Sequence, residues 1–268
     1  MSRRRRVLFA VLGALVLVAA VLAGLRILTE VGPGPQPQAR PAQDRPGPVL
    51  LVPGYGGNRG SLQELAQRIE ATGRDAEVLT LVGDGTGDLS AQVRVLDAAA
   101  DAALAAGAPS VDVVGYSAGG VVTGLWVARD DGAQKARRVV TLGAPLGGTT
   151  LAAVASAVAP DACPVACRQL TPGSPEIAEL ARERVGSALP WLSVWTADDE
   201  TVTPPDTARL DGAVNVEVQA LCPGARVAHS ALPTDPAVTG LVLRALSTEP
   251  VEAAARGECA TLRAAGVG

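Results

Sequence analysis

Val111-Asp112-Val113-Val114-Gly115-Tyr116-Ser117-Ala118-Gly119-Gly120 is the stretch that decides how this chain of 268 residues is read. Its first four residues form a short, mostly apolar run of the kind that makes a buried strand. The next residues, Val121-Val122-Thr123-Gly124-Leu125-Trp126, read as the start of a helix. A Gly-x-Ser-x-Gly between strand and helix is a turn so tight that small residues must flank the serine, whose hydroxyl then stands free at the end of a sheet. The same glycines also suit a plain strand-to-helix turn in a binding fold. A serine hydroxyl is a poor nucleophile until a base takes its proton, and that base is usually an imidazole. The chain has one histidine, His229, so the candidate pair is Ser117 and His229.

Outward from this turn the pattern alternates between strand and helix, the mark of a parallel sheet covered by helices. Strands are expected at Val49–Val52, Glu77–Val82, Val111–Val114, Arg138–Leu142, Trp191–Trp195 and Val214–Val218. A helix from Ser61 to about Ala71 has Ser61 and Glu64 spaced for a capping box, with Gly73 to end it. A second, Ser90–Ala106, carries Val93, Leu96, Ala100 and Leu104 on one face and stops at Gly107. The helix after the serine runs to about Arg129, and a last one spans about Pro236–Leu246. The stretch Gly147–Leu189 is the least regular. Placed after the strand that follows the serine, it reads either as a cap or groove wall over the site, or as a stapled surface excursion.

Composition bounds the setting. Aromatic residues make up only 2% of the chain, so the core must be built from Ala, Val and Leu. A substrate groove is then expected to be aliphatic, with Tyr55, Trp126, Trp191 and Trp195 as its candidate large walls. Residues 1–28 stand apart as a signal anchor or a signal peptide. Arg3 to Arg6 form a basic head before the apolar run Val7 to Leu28, which is long enough to cross a bilayer with its amino end cytoplasmic. Val21-Leu22-Ala23 offers a cleavage site for the other reading. Either places the remainder outside the cytoplasm. Residues 29–47 are a Pro/Gly-rich linker and residues 48–268 the domain. Residues 29–268 carry 18 basic and 27 acidic side chains, a net −9, which gives no electrostatic reason to bind nucleic acid. Four cysteines in an exported part argue for two disulfides. Three pairings are open, and Cys163–Cys167 with Cys222–Cys259 is the expected one. A metal site is the rival use of the cysteines, but no metal or cofactor is expected.

An attack on a carbonyl needs two preorganised donors for the oxyanion. One is the backbone NH of Ala118, at the positive end of a helix. The loop after the first strand, Pro53-Gly54-Tyr55-Gly56-Gly57, supplies the other through the NH of Tyr55. With these segments in place, and with Val139-Val140-Thr141-Leu142-Gly143-Ala144-Pro145 and Arg209-Leu210-Asp211-Gly212-Ala213, the chain resembles the small extracellular lipases of the α/β-hydrolase superfamily, the class 2 bacterial triacylglycerol lipases. The resemblance covers nearly all of Pro48 to Leu246. It implies an α/β-hydrolase fold, with a minimal six-stranded, mostly parallel sheet and helices on both faces. In that family the acid follows a strand of the type Tyr-Ser-x-x-Asp. Trp195-Thr196-Ala197-Asp198-Asp199 matches this pattern, which makes Asp199 the implied acid. Asp198 is its adjacent alternative, and Asp235, after the histidine, is out of order.

Two departures concern substrate choice and leave Ser117, Asp199 and His229 untouched. Pro53 stands where the family's first loop has histidine, and Leu146 stands where it has histidine after the Thr-Leu-Gly-x-Pro segment. The resemblance implies the activity of a lipase or esterase working through Ser117, Asp199 and His229. An acyltransferase with the same residues, or a non-catalytic cell-surface module on the same scaffold, are the alternatives. The expected partners are an ester or lipid substrate and, where the leader is uncleaved, a membrane; the domain is expected to be a monomer.

Overall fold

The structure is a computed structural model that describes residues 40–267 continuously and scattered positions between residues 3 and 22. Two units separate, residues 1–39 and Arg40–Gly268. Among the described residues no helix is long and apolar enough to cross a membrane. The expected anchor or signal peptide lies in large part outside the described residues.

Six strands form one sheet: β1 (Val49–Val52), β2 (Ala76–Val78), β3 (Val111–Tyr116), β4 (Ala136–Leu142), β5 (Trp191–Trp195) and β6 (Val214–Glu217). The spatial order is β2-β1-β3-β4-β5-β6, and all five ladders are parallel. The chain steps from β1 outward to β2, returns to β3 beside β1, and then moves steadily the other way. That reversal makes the loops after β1 and β3 diverge at the carboxyl edge, where a crevice opens.

The helices are α1 (Gly60–Glu70), α2 (Leu89–Ala105), α3 (Ala118–Arg129), α4 (Thr150–Val158), α5 (Val165–Gln169), α6 (Pro175–Arg182), α7 (Pro236–Leu246) and α8 (Cys259–Val267), with single helical turns between some of them. Alternate strand side chains face opposite ways. Leu50, Val52, Val113 and Val139 pack with α2 and α3 on one face. Val49, Leu51, Val114 and Val140 pack with α1 and α7 on the other. Sheets buried on both faces read as continuous apolar runs, which is why these strands are legible in the sequence.

Two local expectations need correction. Ser61 and Glu64 form no capping box: α1 starts at Gly60 with Arg59 as its cap, whose side chain makes no capping bond, and the Asn58 side chain accepts from the Gly60 NH at 2.9 Å instead. The second strand ends at Val78 and does not continue to Val82. Beyond it the Gln92 side chain takes both backbone groups of Val82, accepting at 2.8 Å and donating at 3.2 Å, so no ladder is needed there.

The amino edge of the sheet holds a buried charge that an apolar reading of β3 passes over. Asp112 accepts from Arg137 at 3.0 Å through Nε and at 2.5 Å through Nη2, and both side chains are fully buried. Arg74 reaches the same carboxylate at 2.8 Å. The surplus positive charge is met by the end of α7: Arg137 donates to the carbonyls of Leu246 and Ser247, and Arg138 to that of Ala245. A helix carboxyl terminus carries partial negative charge and unpaired carbonyls, so the guanidinium groups cap it. Truncation of Asp112 leaves these cations buried without their counter-charge. Asp112→Ala is expected to cost about 3–5 kcal/mol, read as a lowered denaturant midpoint.

Candidate active site

Ser117 sits between β3 and α3 with φ 53° and ψ −126°, a conformation that costs energy for any residue but glycine. Neighbouring structure holds it there. Its NH donates to the Leu142 carbonyl at 2.8 Å, and its own carbonyl accepts from Gly120 at 2.9 Å. The glycines of the motif are required by contact. A Cβ on Gly119 would lie 2.2 Å from the Val52 carbonyl oxygen, and one on Gly115 would lie 2.6 Å from the Gly120 Cα.

His229 comes from the loop after β6 and opens a single helical turn. Its Nε2 is 3.0 Å from Ser117 Oγ, and its Nδ1 is 2.7 Å from Asp199 Oδ2. All three side chains are largely buried. The other Asp199 oxygen accepts from the NH groups of Thr201 and Val202 at 2.9 and 2.7 Å. Asp199 is thereby fixed as an acceptor aimed at Nδ1, which leaves Nε2 to face the serine as a proton acceptor. The adjacent carboxylate has a different task. Asp198 accepts from Gln219, Arg226 and the Val227 NH, while Thr196 Oγ1 donates to the Val227 carbonyl at 2.7 Å. These bonds stitch the Asp199 loop to the segment that carries His229.

Tyr116 is a supporting residue that the sequence does not single out. Its ring centre lies 5.2 Å from that of His229, and its hydroxyl donates to the His229 carbonyl at 3.3 Å. Burial, then the charges of Asp199 and Glu200, push its pKa up to about 12, so the phenol remains a donor at neutral pH. The only signal for it in the sequence is its place next to the serine.

The loop Pro53–Gly57 lies over the serine. A Cβ on Gly54 would be 2.9 Å from that of Ser117, and the Gly57 NH closes a turn onto the Gly54 carbonyl at 3.0 Å. Tyr55 sits within this turn. Ala118 is the first residue of α3, where backbone NH groups have no partner inside the helix.

A cavity of about 270 Å³ reaches Ser117 and is mostly apolar, with Tyr55, Leu151, Ala152, Ala155, Leu170 and Val202 in its wall. The stretch Gly147–Leu189 therefore forms a groove wall, through α4 and α5. The tryptophans do not. Trp126, Trp191 and Trp195 are at most 4% exposed and belong to the core, leaving Tyr55 as the large aromatic on the cavity. Two of them have partners for their ring NH, Trp126 in the half-buried Asp97 and Trp191 in the buried Thr141. Both disulfides join the expected partners, Cys163–Cys167 and Cys222–Cys259. Among the described residues no cluster of His, Cys, Asp and Glu has the arrangement of a metal site.

No protein-family model and no curated protein sequence matches this chain. Solved structures match it in fold. Aspergillus fumigatus lipase B gives a TM-score of 0.65 at 18% identity, over 79% of this chain and 55% of the lipase. The chain thus spans little more than half the length of that lipase. The mature form of Bacillus licheniformis lipase BlEst2 gives a TM-score of 0.52 at 18% identity, over 69% of this chain and 84% of the other. A Listeria innocua protein, the product of lin2722, gives a TM-score of 0.56 at 15% identity, over 77% and 96%. With the strand order above, these place the chain in the α/β-hydrolase fold.

The glycine contacts give a direct check on the turn. Gly119→Ala forces the end of β1 away from α3 and is expected to cost about 1–3 kcal/mol, as overpacking does. Gly87→Ala, whose Cβ meets nothing within 4 Å, is expected to stay within about 0.5 kcal/mol of the parent. Thermal denaturation of the two variants makes the comparison.

Proposed function

We propose that this chain is a serine carboxylic ester hydrolase of the lipase and esterase type. The observation that carries the reading is the unbroken hydrogen-bonded line from Asp199 through His229 to Ser117, at 2.7 and 3.0 Å, opening into an apolar cavity. Ser117 Oγ attacks the ester carbonyl carbon as His229 Nε2 takes the proton. The Asp199 carboxylate holds the imidazole in the required tautomer and stabilises the imidazolium that forms. The NH groups of Tyr55 and Ala118 receive the oxyanion. The imidazolium then protonates the departing alkoxide, leaving an acyl group on Ser117. Water, deprotonated by the same imidazole, attacks that acyl group, and the imidazolium returns the proton to Ser117 Oγ as its bond to the acyl carbon breaks and the acid leaves.

The finer reading is a triacylglycerol lipase of the class 2 bacterial kind. The cavity supports it by offering aliphatic walls to an acyl chain. Action outside the cytoplasm is supported by the pairing of all four cysteines, since disulfides persist in oxidising compartments. In this reading residues 1–28 direct export or tether the protein to the membrane, and the following proline-rich segment spaces the hydrolase domain from it.

Hydrolysis of p-nitrophenyl esters by the full-length chain tests the proposal. Ser117→Ala and His229→Ala are expected to fall to background. Asp199→Asn is expected to lower kcat by about 10⁴-fold through loss of the correct tautomer. Asp198→Asn, which alters only the bonds between the Asp199 loop and the segment that carries His229, should cost far less. Fluorophosphonate labelling that persists in Ser117→Ala, or its absence from the parent, would overturn the reading.

A further inference from the structure

The Cys163–Cys167 bond closes a loop of only four positions, against 37 for Cys222–Cys259. The restriction a cross-link places on the unfolded chain grows with the logarithm of loop length. The shorter bond is therefore the weaker staple of the fold, and its position is the more informative property. Cys167 lines the cavity that reaches Ser117. Cys163 is buried beside it and borders a second, wider depression of about 620 Å³ on the other side, shared with Val82, Asp161 and Val165. The bond thus links a residue lining one hollow to a residue lining the other.

The helices on either side of it are held very differently. α5 is docked onto the segment before α2: Ala166 NH donates to the Thr86 carbonyl at 3.1 Å, and the Gln169 side chain accepts from Leu89 NH at 2.8 Å. α4 is pinned at its start, where Thr150 NH donates to the Thr203 carbonyl at 2.7 Å and Thr149 bonds the Thr201 carbonyl. Its other end is built differently. Beyond Ala155 the backbone turns through Ala159–Ala162 on local bonds, from Ala162 NH to Ala159 and from Cys163 NH to Pro160. α4 carries no charged side chain, yet Ala152 is its one buried residue, and Leu151, Val154 and Val158 are exposed. Core packing therefore does little to fix it. The disulfide, with a donation from the Arg168 side chain to the Cys163 carbonyl, joins its return segment to α5. Ala155, Ala162 and Cys167 converge on the cavity at that point.

We propose that the Cys163–Cys167 disulfide is a specificity-determining clamp: it holds the free end of α4 against α5 and so sets the width of the acyl-binding cavity beside Ser117. This rests on the ester-hydrolase reading above. Without the bond the α4 wall moves off its packed position, and a longer acyl chain is left without a surface that an acetyl group never reaches.

The test compares the full-length parent with Cys163→Ser/Cys167→Ser and with Cys222→Ser/Cys259→Ser. The first pair of changes is expected to lower the octanoate-to-acetate ratio of kcat/KM about tenfold through KM, the effect of returning about two methylene groups to water. The second pair is expected to keep that ratio while lowering Tm. Amide hydrogen exchange supplies a readout independent of turnover: protection in Leu151–Val158 should fall in the first variant while β3 to β5 keep theirs. An unchanged ester ratio, equal losses on both esters, or unchanged α4 exchange would each overturn the clamp. So would loss of protection throughout the sheet, which would mark the bond as a staple of the whole fold. A parent that hydrolyses neither ester while α4 still loosens would overturn the ester-hydrolase reading, and with it the acyl role of the clamp.

Discussion

The close approach of the end of β1 to the start of α3 is the contact on which the site depends. Gly119 lies against the carbonyls of Val52 and Pro53 with no room for a side chain. That contact brings the Pro53–Gly57 loop over Ser117 and fixes the first turn of α3 beneath it. The sheet order supplies the opportunity, since only at the reversal between β1 and β3 do two loops diverge from adjacent strands. The strained backbone at Ser117 is stable because both neighbours, β4 through Leu142 and α3 through Gly120, hold it by hydrogen bonds.

The parts legible in the sequence are those with a strict local requirement. A turn this tight demands glycine at Gly115 and Gly119, and strands buried on both faces must be apolar throughout. A single histidine leaves no choice of imidazole, and Asp199 is what the family resemblance around Trp195 implies. Other features depend on contacts between distant residues and leave no local mark. Asp112 looks like an interruption in a strand because its partners, Arg74 and Arg137, come from other elements. Ser61 and Glu64 have the spacing of a capping box, but the turn at Asn58 starts the helix earlier. Size alone suggests the tryptophans as groove walls. In an alanine- and valine-rich interior, large side chains are what fill the volume, and all three are drawn into the core.

The two edges of the sheet divide the work. At the amino edge, buried guanidinium groups bind one carboxylate and the last carbonyls of α7, so the charges are satisfied within the fold. At the carboxyl edge, Asp198, Thr196 and Gln219 tie two loops together and leave Asp199 free for the imidazole. Adjacent carboxylates thus serve separate ends, one structural and one directed at His229. Their geometry, rather than their order in the chain, separates them.

The Cys222–Cys259 bond has a consequence for what a proteolytic cut would do. It closes a covalent ring that contains His229 and all of α7. The stretch from Thr248 to Gly257 is largely exposed and joins α7 to the last helix. It is the natural place for a peptide bond in this ring to be cut. A single nick there would release no fragment, because the crosslink keeps both new ends on one molecule, and the imidazole would stay joined to β6 through the uncut chain before it.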